Sequence, residues 1–331
     1  MKFANKITVL LLSIVLISII FISSFVYISN IDTLQNEISE RLKEDAFHIM
    51  DKIDRGFFER YSDIQIIAQD KIIRSHDSTP KEITERLLDF RNTYKVYSSL
   101  SFFDLNRIRI ADTAGLHLGE KHDLTPYWED VLNGRISAAS DIRVAEELNV
   151  PVIYFASPVK DENGVIFGAI VARMPSSRLY DIVKTVELVE ETNFEINLIN
   201  KEGLLLYSNH NPKGILENKL SSHLQMINLQ ITPVGIMEHF TTVNKEKALM
   251  AFSRQQGHLD FKGNEWTLLI HLPLEIALAP AIELRNIILF VSLFISIIVT
   301  LISLYFSRKF TKPIGELSKA AKELEKGNFK V

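Results

Sequence analysis

Six residues carry the groups best suited to hold a small molecule: Tyr127, Trp128, Asp141, Arg143, Tyr154 and Arg173. Tyr127 and Trp128 are adjacent amphipathic aromatics, suited to a pocket wall. Asp141 and Arg143 stand two apart in an extended stretch, which puts them on one face of a strand. Tyr154 interrupts an otherwise apolar strand, and Arg173 falls near the end of the next. Each has a competing reading. One of the two aromatics packs in a core, the Asp141–Arg143 pair faces solvent, Tyr154 is a core residue, and Arg173 pairs with an acidic neighbour.

Other chemistry is poorly served. His117 and His122 lie five apart around Glu120, which is poor metal geometry, so no metal site is expected. The absence of cysteine excludes disulfides, thiolate metal sites and cysteine nucleophiles. No H-E-x-x-H, G-x-S-x-G or Walker loop occurs. The carboxylate pairs Glu146-Glu147 and Glu190-Glu191 are adjacent, so they point apart or sit on solvated faces. The chain is expected to be no enzyme and to carry no cofactor.

The elements that must position these side chains are legible from periodicity. Ile31, Leu34, Ile38, Leu42, Ile49, Ile53, Phe57, Ile64 and Ile67 recur mostly at steps of three, four or seven, which predicts a long stalk helix over 30–70. Its lower half is expected to meet a partner and its upper half its own domain. HDSTP ends it, and Thr79, Pro80 and Glu82 are start signals for a second helix. From Val96 the period shortens to two: SFFDLNRIRIADT reads as a hairpin turning at 104–106. A short helix follows near Leu124–Asn133, closed by Gly134, then strands near 138–143, 150–159 and 165–174, the last two joined by the turn KDENG. FEINLINKEGLLLYSN repeats the hairpin logic, with closing strands near 247–257 and 265–272. The prediction is an α+β chain with two antiparallel-sheet modules of similar design, at 80–180 and 190–275.

Two uncharged apolar runs bracket this region: 23 residues from Ile7 to Ser29 and 22 from Asn286 to Ser307. Each is long enough to cross a bilayer as a helix, for which about 20 residues suffice. The first is too long for a signal-peptide core and lacks a small-x-small end. Lys2 and Lys6 precede the first run, and Arg308, Lys309 and Lys312 follow the second. The positive-inside rule then puts both termini in the cytoplasm and residues 30–285 outside. Residues 1–6 and 308–331 hold nine Lys/Arg and three Glu, a net of +6, so with a total of −4 the exterior carries −10. An acidic exterior argues against nucleic-acid partners.

The string YW-x5-G followed by VIYFASPVKDENGVIFGAIVA, with its strand through Gly168, resembles the double Cache domains of prokaryotic receptors. The order of spans, stalk and modules is similar too. FTKPIGELSKAAKELEKGNFKV resembles the start of a HAMP domain: Pro313 lies in the first turn, Ile314, Leu317, Ala321 and Leu324 form a seam, and Gly327-Asn328-Phe329 stands at the end of its first helix. The second HAMP helix and any output motif are missing, so the chain is expected to be a fragment or a truncated product.

The resemblance implies a small-molecule site in the membrane-distal module. Its amino-acid-binding branch uses an Arg-x-Trp-Tyr run that would fall on Thr125, Pro126, Tyr127 and Trp128, then an Asp matched by Asp141 and another at the position of Arg173. With Thr125 in place of the Arg and Arg173 in place of an Asp, the expected ligand is a small carboxylate or other anion held by Arg173 and Arg143. The implied whole is a homodimeric bacterial or archaeal membrane receptor that signals through its second span to HAMP and cytoplasmic partners. A chemotaxis output is favoured over a histidine kinase or a diguanylate cyclase. An anchored ectoenzyme or an adhesive ectodomain is the alternative from another class.

Overall fold

The computed structural model describes residues 3–135, 138–145, 150–184 and 194–306, and the single residues 309, 313 and 321. The HAMP seam residues Ile314, Leu317 and Leu324, the Gly327-Asn328-Phe329 end, and the pairs Glu146-Glu147 and Glu190-Glu191 lie outside them. The described chain divides into two compact units, one comprising the residues up to Ile38 and from Glu275 onward, the other Ser39–Leu274.

In the first unit, α1 (Phe3–Ala68) contributes its N-terminal half, and α7 (Ala279–Phe306) follows the short α6 (Leu274–Ala277). Both helices are long and apolar enough to cross a membrane. Large apolar side chains point outward along them, among them Ile17, Phe21, Phe25, Phe290, Leu293 and Phe294. Exposed apolar surface on that scale marks contact with lipid or protein.

The second unit holds two antiparallel sheets and the remainder of α1. The first sheet is built from β1 (Ser99–Asp104), β2 (Arg109–Asp112), β3 (Ala138–Ala139), β4 (Arg143–Ala145), β5 (Val150–Lys160) and β6 (Ile166–Pro175), in the order β2-β1-β6-β5-β3 with β4 also on β5. The second uses β7 (Glu195–Ile199), β8 (Leu205–Ser208), β9 (Val234–Phe240), β10 (Lys247–Arg254) and β11 (Thr267–Pro273), in the order β8-β7-β11-β10-β9. Counting β3 and β4 as one, the orders are the same, so the two modules share a topology. The local chemistry is shared as well. Asp104 Oδ1 accepts the Ile108 N–H at 2.7 Å in the first hairpin, and Asn200 Oδ1 accepts the Leu204 N–H at 2.9 Å in the second. In each, a short polar side chain replaces a backbone partner across the turn.

Helix α2 (Pro80–Tyr94) begins with a full capping box: Thr79 Oγ1 accepts from the Glu82 N–H and Glu82 Oε2 accepts from the Thr79 N–H. Helices α3 (Pro126–Leu132) and α4 (Ser177–Lys184) flank the first sheet, and α5 (Ser221–Asn228) lies beside the second. Neither α5 nor β9 is announced by the sequence. β9 is a half-buried edge strand, and α5 is an eight-residue helix with no side-chain cap, so each lacks the signal that marks its neighbours. Gly168 on β6 is required by close approach: a Cβ there would stand 2.6 Å from the Phe102 ring and 2.7 Å from the Phe103 carbonyl oxygen.

Within this unit α1 buries Leu42, Ala46, Ile49, Ile53, Phe57, Ile64 and Ile67, the apolar face read from the sequence. Phe57 joins both modules. Its ring lies 5.5 Å from Phe155 of the first sheet and 5.1 Å from Trp266, just before β11 of the second. One turn earlier, the buried Asp54 accepts the backbone N–H groups of Gln256 and Gly257 at 3.1 and 2.9 Å. Burial pushes the Asp54 carboxyl above its usual range, and those donors oppose the push.

Candidate ligand-binding site

A cavity of about 420 Å³ opens on the first module. Its aromatic wall comes from β1 (Phe103), α3 (Tyr127) and β5 (Tyr154). Tyr127 and Tyr154 stack at 5.6 Å with an angle of 13° between their rings. The loop between β2 and α3 adds His117, Glu120, Lys121, His122 and Asp123, and β2 and β4 add Arg109 and Arg143. A volume of this size takes a metabolite rather than a peptide.

The polar atoms of the wall are ordered by hydrogen bonds. His122 Nδ1 lies 2.8 Å from the Asp123 carbonyl oxygen and Nε2 3.1 Å from the Tyr127 hydroxyl. A carbonyl can only accept, so Nδ1 carries the proton and Nε2 accepts from Tyr127. Burial holds His122 below its ordinary pKa, reinforced by the positive charges of Arg109 and Arg173. Burial raises the Tyr127 hydroxyl, so this ring stays neutral. Glu120 is bound to His117 at 2.6 Å. Arg109 donates to the Leu116 carbonyl at 2.8 Å and stacks on Phe103. Arg143 is exposed and makes no ion pair among the described residues.

Three of the six residues singled out from the sequence meet here: Tyr127, Arg143 and Tyr154. The other three are placed elsewhere. Trp128, 1% exposed, packs edge-on against Phe103 at 5.4 Å, beneath the wall. Arg173, 2% exposed, donates to Ser99 Oγ at 2.9 Å and lies 3.7 Å from Asp112 Oδ2, under the Tyr154 ring. The expected anion grip by Arg173 is thereby replaced by an internal ion pair. Asp141 accepts from Trp266 Nε1 at 2.6 Å and from Asn200 Nδ2 at 3.3 Å, both in the second module. Its shared face with Arg143 fails because strand pairing starts only at Arg143, opposite Val152, so no pleat links the two residues. Arg109, Lys121, His122 and Asp123 were missed as a set. The only signal was a polar loop between hairpin and helix. Among the described residues no cluster of three or more histidine or carboxylate side chains could hold a metal ion.

No family model matches the chain, and no curated protein matches it in sequence. Solved structures do match. The ligand-binding domain of the Campylobacter jejuni chemoreceptor Tlp3, in complex with L-valine, aligns at a TM-score of 0.58 and 12% identity over 74% of this chain and 96% of that one. The ligand-binding domain of the Pseudomonas aeruginosa chemoreceptor PctC, in complex with GABA, aligns at 0.57 and 15% identity, over 71% and 100%. The fold is the one these ligand-binding domains share. An extracellular ligand-binding receptor from Desulfohalobium retbaense aligns at 0.52 and 12% identity over 70% of this chain, which spans only 39% of that receptor's length. The extracellular domain of the histidine kinase rpHK1S-Z16 aligns at 0.56 and 15% identity, over 72% of this chain and 94% of that one. At these identities the likeness is one of fold, and the cavity described above lies in the first of the two modules.

Proposed function

We propose that this chain is the sensory part of a transmembrane receptor whose membrane-distal Cache module binds a small carboxylate. The carrying observation is Arg143, a guanidinium on the rim of a cavity walled by stacked tyrosines, with no ion pair among the described residues. Guanidinium grips carboxylate with two parallel hydrogen bonds. The chemoreceptor neighbours are named with valine and GABA, which also carry a carboxylate. An amino acid needs an anion for its ammonium as well. The two positions that the family resemblance gives to that anion hold a guanidinium, Arg173, and a carboxylate already taken by Trp266, Asp141. A thermal-shift screen of the full chain in detergent tests this reading. A ligand at 100 times its Kd adds about 2.7 kcal/mol, seen as a raised Tm. Organic acids are expected to give that shift. Arg143→Ala should abolish it while leaving the unliganded Tm within the range of a surface change, about 0.5 kcal/mol. Stabilisation by amines or by amino acids alone would overturn the anion assignment.

Both termini are proposed to be cytoplasmic, with α7 leading into HAMP and an output module of chemotaxis or kinase type. The receptor is proposed to be a homodimer through the N-terminal half of α1, where Ile31, Leu34 and Ile38 remain partly exposed. Single cysteines along 31–42 should cross-link in membranes in a ladder with three-four spacing, and an unbroken or absent ladder would refute the pairing. For transmission, β4 carries Arg143 and the stretch just before it carries Asp141, bonded to Trp266, which packs on Phe57 of α1. A ligand drawing on Arg143 would therefore pull on a segment tied to α1, and α1 runs unbroken into the first apolar run.

A further inference from the structure

The second module contains three imidazoles that the ligand site does not use. His223 lies on α5, His239 on β9 and His271 on β11. The His223 ring stands edge-on to both others, at 4.4 Å from His239 and 5.2 Å from His271. His223 and His271 are buried, His271 completely, and His239 half-closes the cluster. We propose that this trio makes the second module an acid sensor: as the outside pH falls, protons drive α5 and the edge strand β9 away from the sheet.

The surroundings give protonated rings little relief. Lys245 adds positive charge. Glu195 stands opposite His271 in the β7–β11 register; its carboxylate oxygens are held by the Thr242 N–H, the Thr242 hydroxyl and Asn197 Nδ2, and its backbone offsets only part of the lowering at His271. Glu238 precedes His239 on its strand and so faces the other side of the sheet. Ser222 Oγ lies 3.4 Å from His223 Nδ1, and the Phe240 carbonyl accepts from His223 Nε2 at 3.1 Å. From β10, the residues opposite are Ala248 and Met250, which carry no charge. Burial, with the neighbouring positive groups, lowers His223 to about 4 and His271 to about 3.

The sign follows from linkage. A group depressed in the closed state is neutral in both states above about pH 6.5, and below that the open state takes up more protons. At pH 5 each buried ring then favours opening by about thirtyfold, and the two together by about a thousandfold.

Hydrogen exchange on the full chain in detergent, corrected for intrinsic rates, reads this directly. Between pH 7.5 and pH 5, amides of α5 and β9 should lose about 10²- to 10³-fold in protection relative to those of β5 and β6. The loss should shrink to severalfold or less in His223→Gln/His271→Gln. If that pair fails to fold, His239→Gln, at the half-buried rim, must reduce the loss at least severalfold. Equal relative protection at the two pH values overturns the proposal, as does a loss that persists unchanged in the variants.

Discussion

Arg173→Ala should destabilise the first module by about 3–5 kcal/mol, although the same substitution at Arg143 should leave its stability almost unchanged. Arg173 neutralises Asp112, which is buried with it and also accepts from the Ser101 hydroxyl and the Ala114 N–H. Removing one partner of a buried pair leaves an uncompensated charge and costs about 3–5 kcal/mol. Typical domains hold only about 5–15 kcal/mol in total. Urea denaturation followed by near-UV signals from the first module would measure the loss. Pairing Arg173→Met with Asp112→Asn should recover most of it, because replacing both partners removes the stranded charge. A single-variant loss below about 1 kcal/mol, the range of an exposed pair, would show that the two groups do not depend on each other. The contrast between the two arginines also separates scaffold from site, since both were candidates for the same anion.

That contrast marks where sequence reasoning stops. Helix boundaries and turns were legible because their causes are local: the Thr79–Glu82 box, the polar turn at Asp104, the apolar period along α1. The cavity wall was legible in part, because Tyr127 and Tyr154 stand out as amphipathic aromatics on regular elements, although their facing was left open. Arg173 was assigned to the ligand because its partner, Asp112, could not be read from the sequence: it lies on a strand two places across the sheet, beyond β1. Asp141 was misplaced for a similar reason. Whether it faces a ligand or the second module depends on where β4 begins, and on a tryptophan 125 residues later. The loop donors Arg109, Lys121, His122 and Asp123 carry no period at all. Their convergence depends on how the chain travels from hairpin to α3, and composition does not encode that path. The histidine trio was likewise invisible, because its three members lie on elements of which two were not foreseen.

Trp266→Phe is expected to uncouple the cavity from α1 while sparing the binding site. Phenylalanine keeps a ring against Phe57, but it removes the N–H that Asp141 Oδ1 accepts at 2.6 Å. Asp141 then keeps only the longer bond from Asn200. Leaving a partly buried carboxylate short of its donor costs about 1–3 kcal/mol. Trp266→Ala would add a cavity beside Phe57 and cost about 3–5 kcal/mol, which makes it the worse probe. Coupling is read by hydrogen exchange of the α1 backbone between Ile49 and Phe57, with and without a stabilising organic acid. In the native chain the acid should change exchange there. In Trp266→Phe the acid should still raise the Tm, because Arg143, Tyr127 and Tyr154 are untouched, yet the α1 response should vanish. Asp141→Asn is the matching control, since its amide oxygen can still accept from Trp266 and should preserve the response. An α1 response that is intact in Trp266→Phe would route the signal through Phe155, the direct contact between the first sheet and Phe57. The two routes differ physically. The hydrogen bond links α1 to the turn beside the arginine, whereas the Phe155 contact links it to the sheet core, which ligand binding at the rim has little means to move.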